Sequence, residues 1–142
     1  MKKFTLLFLL FVGMSTFASA QATKQLNFGI IGVSYEIPVS SAITIAPFAG
    51  SDLNLNYLSL GVKANYYFDE LFGLNDEWDV YAGANAGFAM WIGSVVTGTS
   101  GVDIGLHIGG RWFWNEKWGV YLELGGGYYV RGTTGVGFTM KL

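Results

Sequence analysis

The chain has 142 residues, enough for one domain and short for two. It is 51% hydrophobic and 17% aromatic but only 13% charged, about half the charge of an ordinary soluble domain, so much of its surface is expected not to face water. The absence of cysteine excludes a disulfide framework and a thiolate metal site, and a net charge of −2 excludes the basic footprint of a nucleic-acid binder.

In chain order, the first element is a leader. MKKFTLLFLLFVGMSTFASA has a basic start at Lys2 and Lys3, an apolar run from Phe4 to Val12, and a small-residue end, Ala18-Ser19-Ala20. That pattern predicts a secretory signal peptide over 1–20, cleaved after Ala20. The alternative is a helical anchor, but the apolar run is shorter than the ~20 residues a spanning helix needs. Removing Lys2 and Lys3 takes the net charge from −2 to −4. Residues 21–142 form the remaining domain.

From there the chain alternates with period two, the signature of strands whose successive side chains point to opposite faces. A strand is expected over 25–37, with a slip at Ile30-Ile31 where two apolar residues adjoin. The slip marks either a bulge or a hairpin between two short strands. Further strands are expected over 42–50 and 56–68, separated by the loop 50–56. An acidic connection, 69–77, leads to a strand over 78–93 whose apolar set is Trp78, Val80, Ala82, Ala84, Ala86, Phe88, Met90 and Ile92. After the loop 94–101, the strand over 102–114 carries Val102, Ile104, Leu106, Ile108, Trp112 and Trp114 on one face, with Asp103, His107, Arg111 and Phe113 on the other. Asn115-Glu116-Lys117 is a tight turn. The strand over 118–131 has Trp118, Val120, Leu122, Leu124, Tyr128 and Val130 opposite Tyr121, Glu123, Tyr129 and Arg131. A loop, 131–134, leads to the last strand, 134–142. Seven strands are read directly, and an abbreviated first hairpin makes eight.

Which face is wet decides the class. A soluble barrel or sandwich turns its apolar face inward and a face rich in charges outward. Here the second face is mostly Gly with isolated Asn, Tyr, Arg, Glu and Lys, which suits a narrow lumen filled by its own side chains. The first face is Leu, Val, Ile, Phe and Trp throughout, as lipid requires. Tyr66, Phe68, Trp78, Trp112, Trp114 and Trp118 gather at strand ends, as an aromatic girdle at one membrane interface would. An open sheet edge in hydrocarbon leaves backbone groups unpaired, so the sheet must close. The expected fold is an all-β, antiparallel up-and-down transmembrane barrel of about eight strands in a Gram-negative outer membrane. A secreted soluble barrel is the alternative.

QLNFG (25–29), NYYF (65–68), EWDVYAGANAGF (77–88), FWNEKWGVYLELGGG (113–127) and GVGFTMKL (135–142) carry a resemblance. Across nearly all of the mature chain, the sequence resembles the small outer-membrane β-barrel proteins of Bacteroidetes-type bacteria, similar in size to OmpA/OmpX-type barrels. The resemblance implies that the last strand is the signal read by the barrel-insertion machinery, here through Val136, Phe138, Met140 and Leu142. Such strands usually end in an aromatic; this one ends in Leu142. Family members also carry an additional pass near the N-terminus, where this chain looks shortened.

Some barrels of this size are enzymes. Lipid A deacylases resemble the class and use a His-x-Ser arrangement with a Glu, but Gly109 stands two residues after His107, the only histidine. Omptin-like proteases use Asp and His pairs on larger barrels with long loops. Without a nucleophile or a second base, no catalytic constellation is expected. One His and scattered carboxylates do not make a metal site, and no cofactor is expected.

The charges of the second face are expected to hold the lumen together. A tight turn at 115–117 places Phe113 near Gly119 and Arg111 near Tyr121, with Glu123 diagonal to Arg111 and within cross-strand reach. The same counting sets Asn85 beside Arg111, and Lys63 beside Gly83 and Asn85. A lumen network of Lys63, Asn85, Arg111, Tyr121 and Glu123 follows, in which Arg111→Ala strands Glu123. The expected role is a non-enzymatic, monomeric barrel with a structural or envelope-interaction function. Its expected partners are outer-membrane lipid and the insertion machinery. A narrow pore for small solutes is the alternative, a lipid-modifying barrel enzyme the third reading, and short loops argue against adhesion.

Overall fold

A computed structural model of the chain describes residues 22–94, 98–127 and 135–142. The expected leader, 1–20, and the stretch 128–134 of the last hairpin lie outside them. Eight strands follow one another: β1 (Gln25–Gly29), β2 (Gly32–Pro38), β3 (Ile43–Ser51), β4 (Tyr57–Tyr67), β5 (Trp78–Trp91), β6 (Gly101–Phe113), β7 (Trp118–Gly126) and β8 (Gly135–Lys141). Each pairs antiparallel with the next, and β8 pairs with β1 from Gln25↔Lys141 to Gly29↔Gly137, closing the barrel. Every strand therefore has two partners and no edge is left to pair elsewhere.

The slip at Ile30-Ile31 is a hairpin. Phe28 pairs with Val33 and Gln25 with Glu36, so an odd-numbered residue faces an even-numbered one across the turn. Inward positions change from Gln25 and Asn27 on β1 to Ser34 and Glu36 on β2. A hairpin with this pairing must reverse the parity of the alternation, which is what the two adjoining isoleucines record. The strand expected over 25–37 is thus two strands.

Two other features depart from simple alternation. On β3, Pro47 has no N–H to donate. The β2–β3 ladder runs Ser34↔Phe48 and resumes at Ile37↔Ile45, omitting the positions opposite Pro47 and Ala46. The acidic connection holds a single helical turn, α1 (Asp69–Phe72), ended by Gly73 in the left-handed region at φ 63. Glycine tolerates that φ at no steric cost.

The barrel is inverted relative to a soluble one. Its buried residues are mostly polar or charged, among them Gln25, Asn27, Glu36, Lys63, Asn65, Asp79, His107, Arg111 and Glu123. Leu58, Leu60, Val62, Phe88, Val102, Ile104, Leu106, Ile108, Leu122, Leu124, Val136 and Phe138 are exposed. Leu106 is 73% exposed while the adjacent His107 is 2% exposed, so the contrast changes from one residue to the next. Burial of apolar side chains in the interior is therefore not what holds this barrel together.

Candidate functional site

Buried charged side chains converge in the lumen, where they form two layers. The lower layer lies at the end that carries both termini. Arg111, from β6, crosses the interior to Glu36 on β2 and forms an ion pair with both side chains about 1% exposed. Its other terminal nitrogen donates to the Tyr67 hydroxyl, which in turn donates to Glu36. Asn27 Nδ2 and Thr44 Oγ1 each donate to the Glu36 carboxylate at 2.8 Å. The guanidinium carbon sits 4.3 Å from the centroid of the Tyr81 ring and 5.5 Å from that of Tyr67. Asp79, the cross-strand neighbour of Arg111, approaches it at 3.5 Å. That distance permits charge attraction, but Asp79 Oδ2 makes no hydrogen bond. Thr139 Oγ1 extends the layer to β8 by donating to Asn27 at 2.7 Å.

Local sequence explains why a side chain as long as arginine fits. Gly109 lies on the same inward face as Arg111, and a Cβ there would come within 2.7 Å of the Tyr81 ring. With hydrogen at that position, Tyr81 lies flat beneath the guanidinium. Burying this ion costs several kcal/mol unless it is paired and hydrogen-bonded, and the lower layer supplies both.

The upper layer is smaller. Lys63 Nζ on β4 donates to Glu123 Oε1 on β7 at 2.7 Å, and Tyr81 donates to Glu123 Oε2 at 2.9 Å. His107 Nε2 meets Asn65 Oδ1 at 2.6 Å across Gly83, where a Cβ would come within 2.7 Å of the imidazole. Because the amide oxygen accepts, Nε2 carries the proton and Nδ1 is left as an acceptor without a partner among the described residues. Above this layer, Phe48 packs on Ala89, with Tyr57 against them.

The five expected network residues therefore separate. Phe113↔Gly119 and Arg111↔Tyr121 pair as the turn dictates, and Lys63 pairs with Asn85. Three expectations are corrected. Arg111 pairs with Glu36, and Glu123 belongs to Lys63, because Glu123 lies level with Gly109 and beneath the reach of Lys63. Asn85 is opposite Gly105, not beside Arg111, whose neighbour on β5 is Asp79. Both amide atoms of Asn85 lack partners among the described residues. Tyr121 bonds to none of the other four there; its hydroxyl lies over Gly29 and its ring against Gly137. Glu36, Tyr67, Asp79, Asn27 and Thr44 were missed. The available signal was Glu36 itself, a lone carboxylate on an inward face with no cation on its own hairpin.

The six aromatics lie on the outward face at the terminal end. Trp78 and Trp112 are cross-strand partners with ring centroids 6.4 Å apart, Trp112 and Trp114 lie at 6.5 Å, and Tyr66 and Phe68 at 4.9 Å. Trp118 meets Phe28 edge-on at 6.1 Å, across the seam that closes the barrel. Val136 and Phe138 point outward from β8, Met140 is half-buried, and Leu142 is exposed beyond the strand. Among the described residues, no group of three or more His, Asp or Glu side chains is placed to hold a metal ion.

No family model matches the chain, and no curated protein does. Among solved structures, it is similar to the N-terminal β-barrel domain of Pseudomonas aeruginosa OprF, with a TM-score of 0.59 at 15% sequence identity. The match covers 84% of this chain and 93% of that one. The two share a fold: a small, closed, antiparallel β-barrel.

Proposed function

We propose that this protein is a non-enzymatic integral barrel of a Gram-negative outer membrane. It reaches the membrane by way of a cleaved leader and acts as a structural or envelope-interaction component. The observation that carries the reading is the inversion of the barrel: ion pairs inside, an unbroken apolar face outside, and aromatics gathered at one end. Strands of β4, β5 and β6 length cross a hydrocarbon core when tilted. The even strand count puts both termini on one side, the periplasmic one, together with the aromatic end and the turn at 114–117. Insertion machinery reading β8 and a monomeric barrel in lipid complete the proposal.

A lumen filled by its own side chains favours a structural role over transport. Barrels of eight strands have interiors that side chains just fill, and here Arg111 and Lys63 span the interior to carboxylates on distant strands. A narrow pore is the second reading, favoured by Asn65 Nδ2, both amide atoms of Asn85 and His107 Nδ1, which have no partner among the described residues. Two measurements separate the cases. Fractionation with a heat-modifiability gel should place a folded, heat-shifting band in the outer membrane; a soluble periplasmic protein would overturn the membrane reading. In planar bilayers the wild type should show no stable conductance, and a long-lived open channel would replace the structural role with the pore.

A further inference from the structure

A depression lies within the apolar belt of the outward face. Its floor is Gly110 on β6, between Val80 and Leu122 on the flanking strands. A Cβ at Gly110 would meet only the Asp79 carbonyl oxygen, at 3.7 Å, so the floor is open. Trp78 and Trp112 wall it toward the terminal end, and Ile108 and Leu124 wall it toward the other. Phe72 closes one flank, held outward by stacking on Phe68 at 5.9 Å. The groove holds about 620 Å³, within the range of about 300–1,000 Å³ of small-molecule sites.

Carboxylates outnumber cations at its lower end. The two connections that flank it, 68–77 and 114–117, present Glu70, Asp76, Glu77 and Glu116 as exposed carboxylates. Lys117 is the one cation on them. Lys141, from the neighbouring β8, sits at the same rim: its Nζ donates to the Asp76 carbonyl at 3.3 Å and lies 3.8 Å from the Phe113 ring centroid, so two lysines offset part of the charge of the four exposed carboxylates. An acyl chain in the groove would bring its headgroup to this acidic rim. The rim repels an anionic headgroup and attracts one that carries an ammonium.

We propose that the Gly110 groove is a site for a phospholipid of the periplasmic leaflet with an ammonium-bearing headgroup of the ethanolamine type, its acyl chain lying between Trp78, Trp112 and Leu122. The proposal rests on the membrane reading above. Occupation by an acyl chain needs no change in the barrel, because the floor is glycine and the walls are fixed by the ladder. Headgroup choice comes from the carboxylates and so weakens with salt.

The groove tryptophans provide the readout. The full-length mature protein is inserted into mixed phosphatidylethanolamine and phosphatidylglycerol vesicles in which one or the other lipid carries brominated acyl chains. Tryptophan quenching should be stronger with the brominated ethanolamine lipid, with a relative preference of roughly fivefold, the order that one charge near a bilayer surface supplies. Gly110→Leu fills the floor and should bring the preference to parity while the heat-shift of the folded barrel is retained. Glu77→Gln with Glu116→Gln should lower the preference and leave total quenching unchanged.

Equal quenching by both lipids in the wild type would overturn the proposal. So would a preference that survives Gly110→Leu, or self-association in the vesicles that Gly110→Leu abolishes, which would make a second copy the occupant. No quenching by either lipid would overturn the membrane reading itself, a different failure from loss of selectivity.

Discussion

The two layers of the lumen treat polar groups differently. In the lower layer, Glu36 accepts from four side chains, and Arg111 has carboxylate, hydroxyl and two aromatic faces around it, with only its Nε and the Asp79 Oδ2 left without a hydrogen bond among the described residues. In the upper layer, Lys63 and Glu123 satisfy each other and Tyr81, but Asn65 Nδ2, both amide atoms of Asn85 and His107 Nδ1 have no partner among the described residues. The difference follows from charge. A buried ion must be surrounded or the fold fails, whereas a buried amide left short costs only about 1–3 kcal/mol. The lower layer is therefore the lock of the barrel, and the upper layer is a looser, glycine-flanked fill.

Substitutions can break that contrast, beginning with the lock. Glu36→Ala leaves Arg111 buried with Asp79, at 3.5 Å, as its one anionic neighbour and strips three other donors of their acceptor. It should cost about 3–5 kcal/mol, read from urea unfolding of the refolded barrel by tryptophan fluorescence. A cost under about 1 kcal/mol would show that the layer is hydrated and not a lock. Lys63→Met frees Glu123 from its cation but leaves the Tyr81 hydrogen bond, so the loss should be smaller, about 2 kcal/mol. Tyr67→Phe removes one hydroxyl that both receives from Arg111 and donates to Glu36, for about 1–2 kcal/mol in the same assay. Asn85→Ala should change stability least, within about 1 kcal/mol of zero, because no hydrogen bond is lost. A large loss there would mean that Asn85 is tied to something the described residues do not contain.

Outside the strands, α1 offers a pH probe. Burial pushes the Asp69 carboxyl up to about 6, opposed by the Val80 N–H that donates to it at 2.5 Å. The folded state then holds its proton at pH values where the unfolded chain has released it. This contribution is greatest below the unfolded value of 3.8 and is lost as pH rises through about 6. Asp69→Asn should flatten the stability profile between those values; an unchanged slope would assign the pH dependence to other groups.

How far the sequence reached depended on chain distance. Short turns transmit register, so Asn115–Lys117 was enough to set Phe113 opposite Gly119 and Arg111 opposite Tyr121. The nine residues between β5 and β6 transmit none, which is why Asn85 was placed beside Arg111 when Asp79 belongs there. Contacts across the lumen were harder still. Arg111 and Glu36 are 75 residues apart and meet only because the sheet closes on itself. Alternation tells which face Glu36 occupies but not which strand lies opposite. Among the described residues, the face assignments themselves were legible from Leu58 to Leu124 and from Val136 to Phe138, because period two needs no knowledge of tertiary structure. The helical turn α1 was not, since four residues are too few to show a helical period.

The inversion of the barrel is the central claim, and β6 tests it most directly. The chain has no cysteine, so single cysteines can be introduced at Ile104, Leu106 and Ile108, and at Asp103 and His107, and each labelled with a nitroxide in lipid vesicles. Collision rates with oxygen, which concentrates in hydrocarbon, and with a water-soluble nickel complex then report which medium each label faces. High oxygen and low nickel access at Ile104, Leu106 and Ile108, with both low at Asp103 and His107, is the predicted pattern. Nickel access at Leu106 and Ile108 as free as that of oxygen would place this face in water and contradict the account.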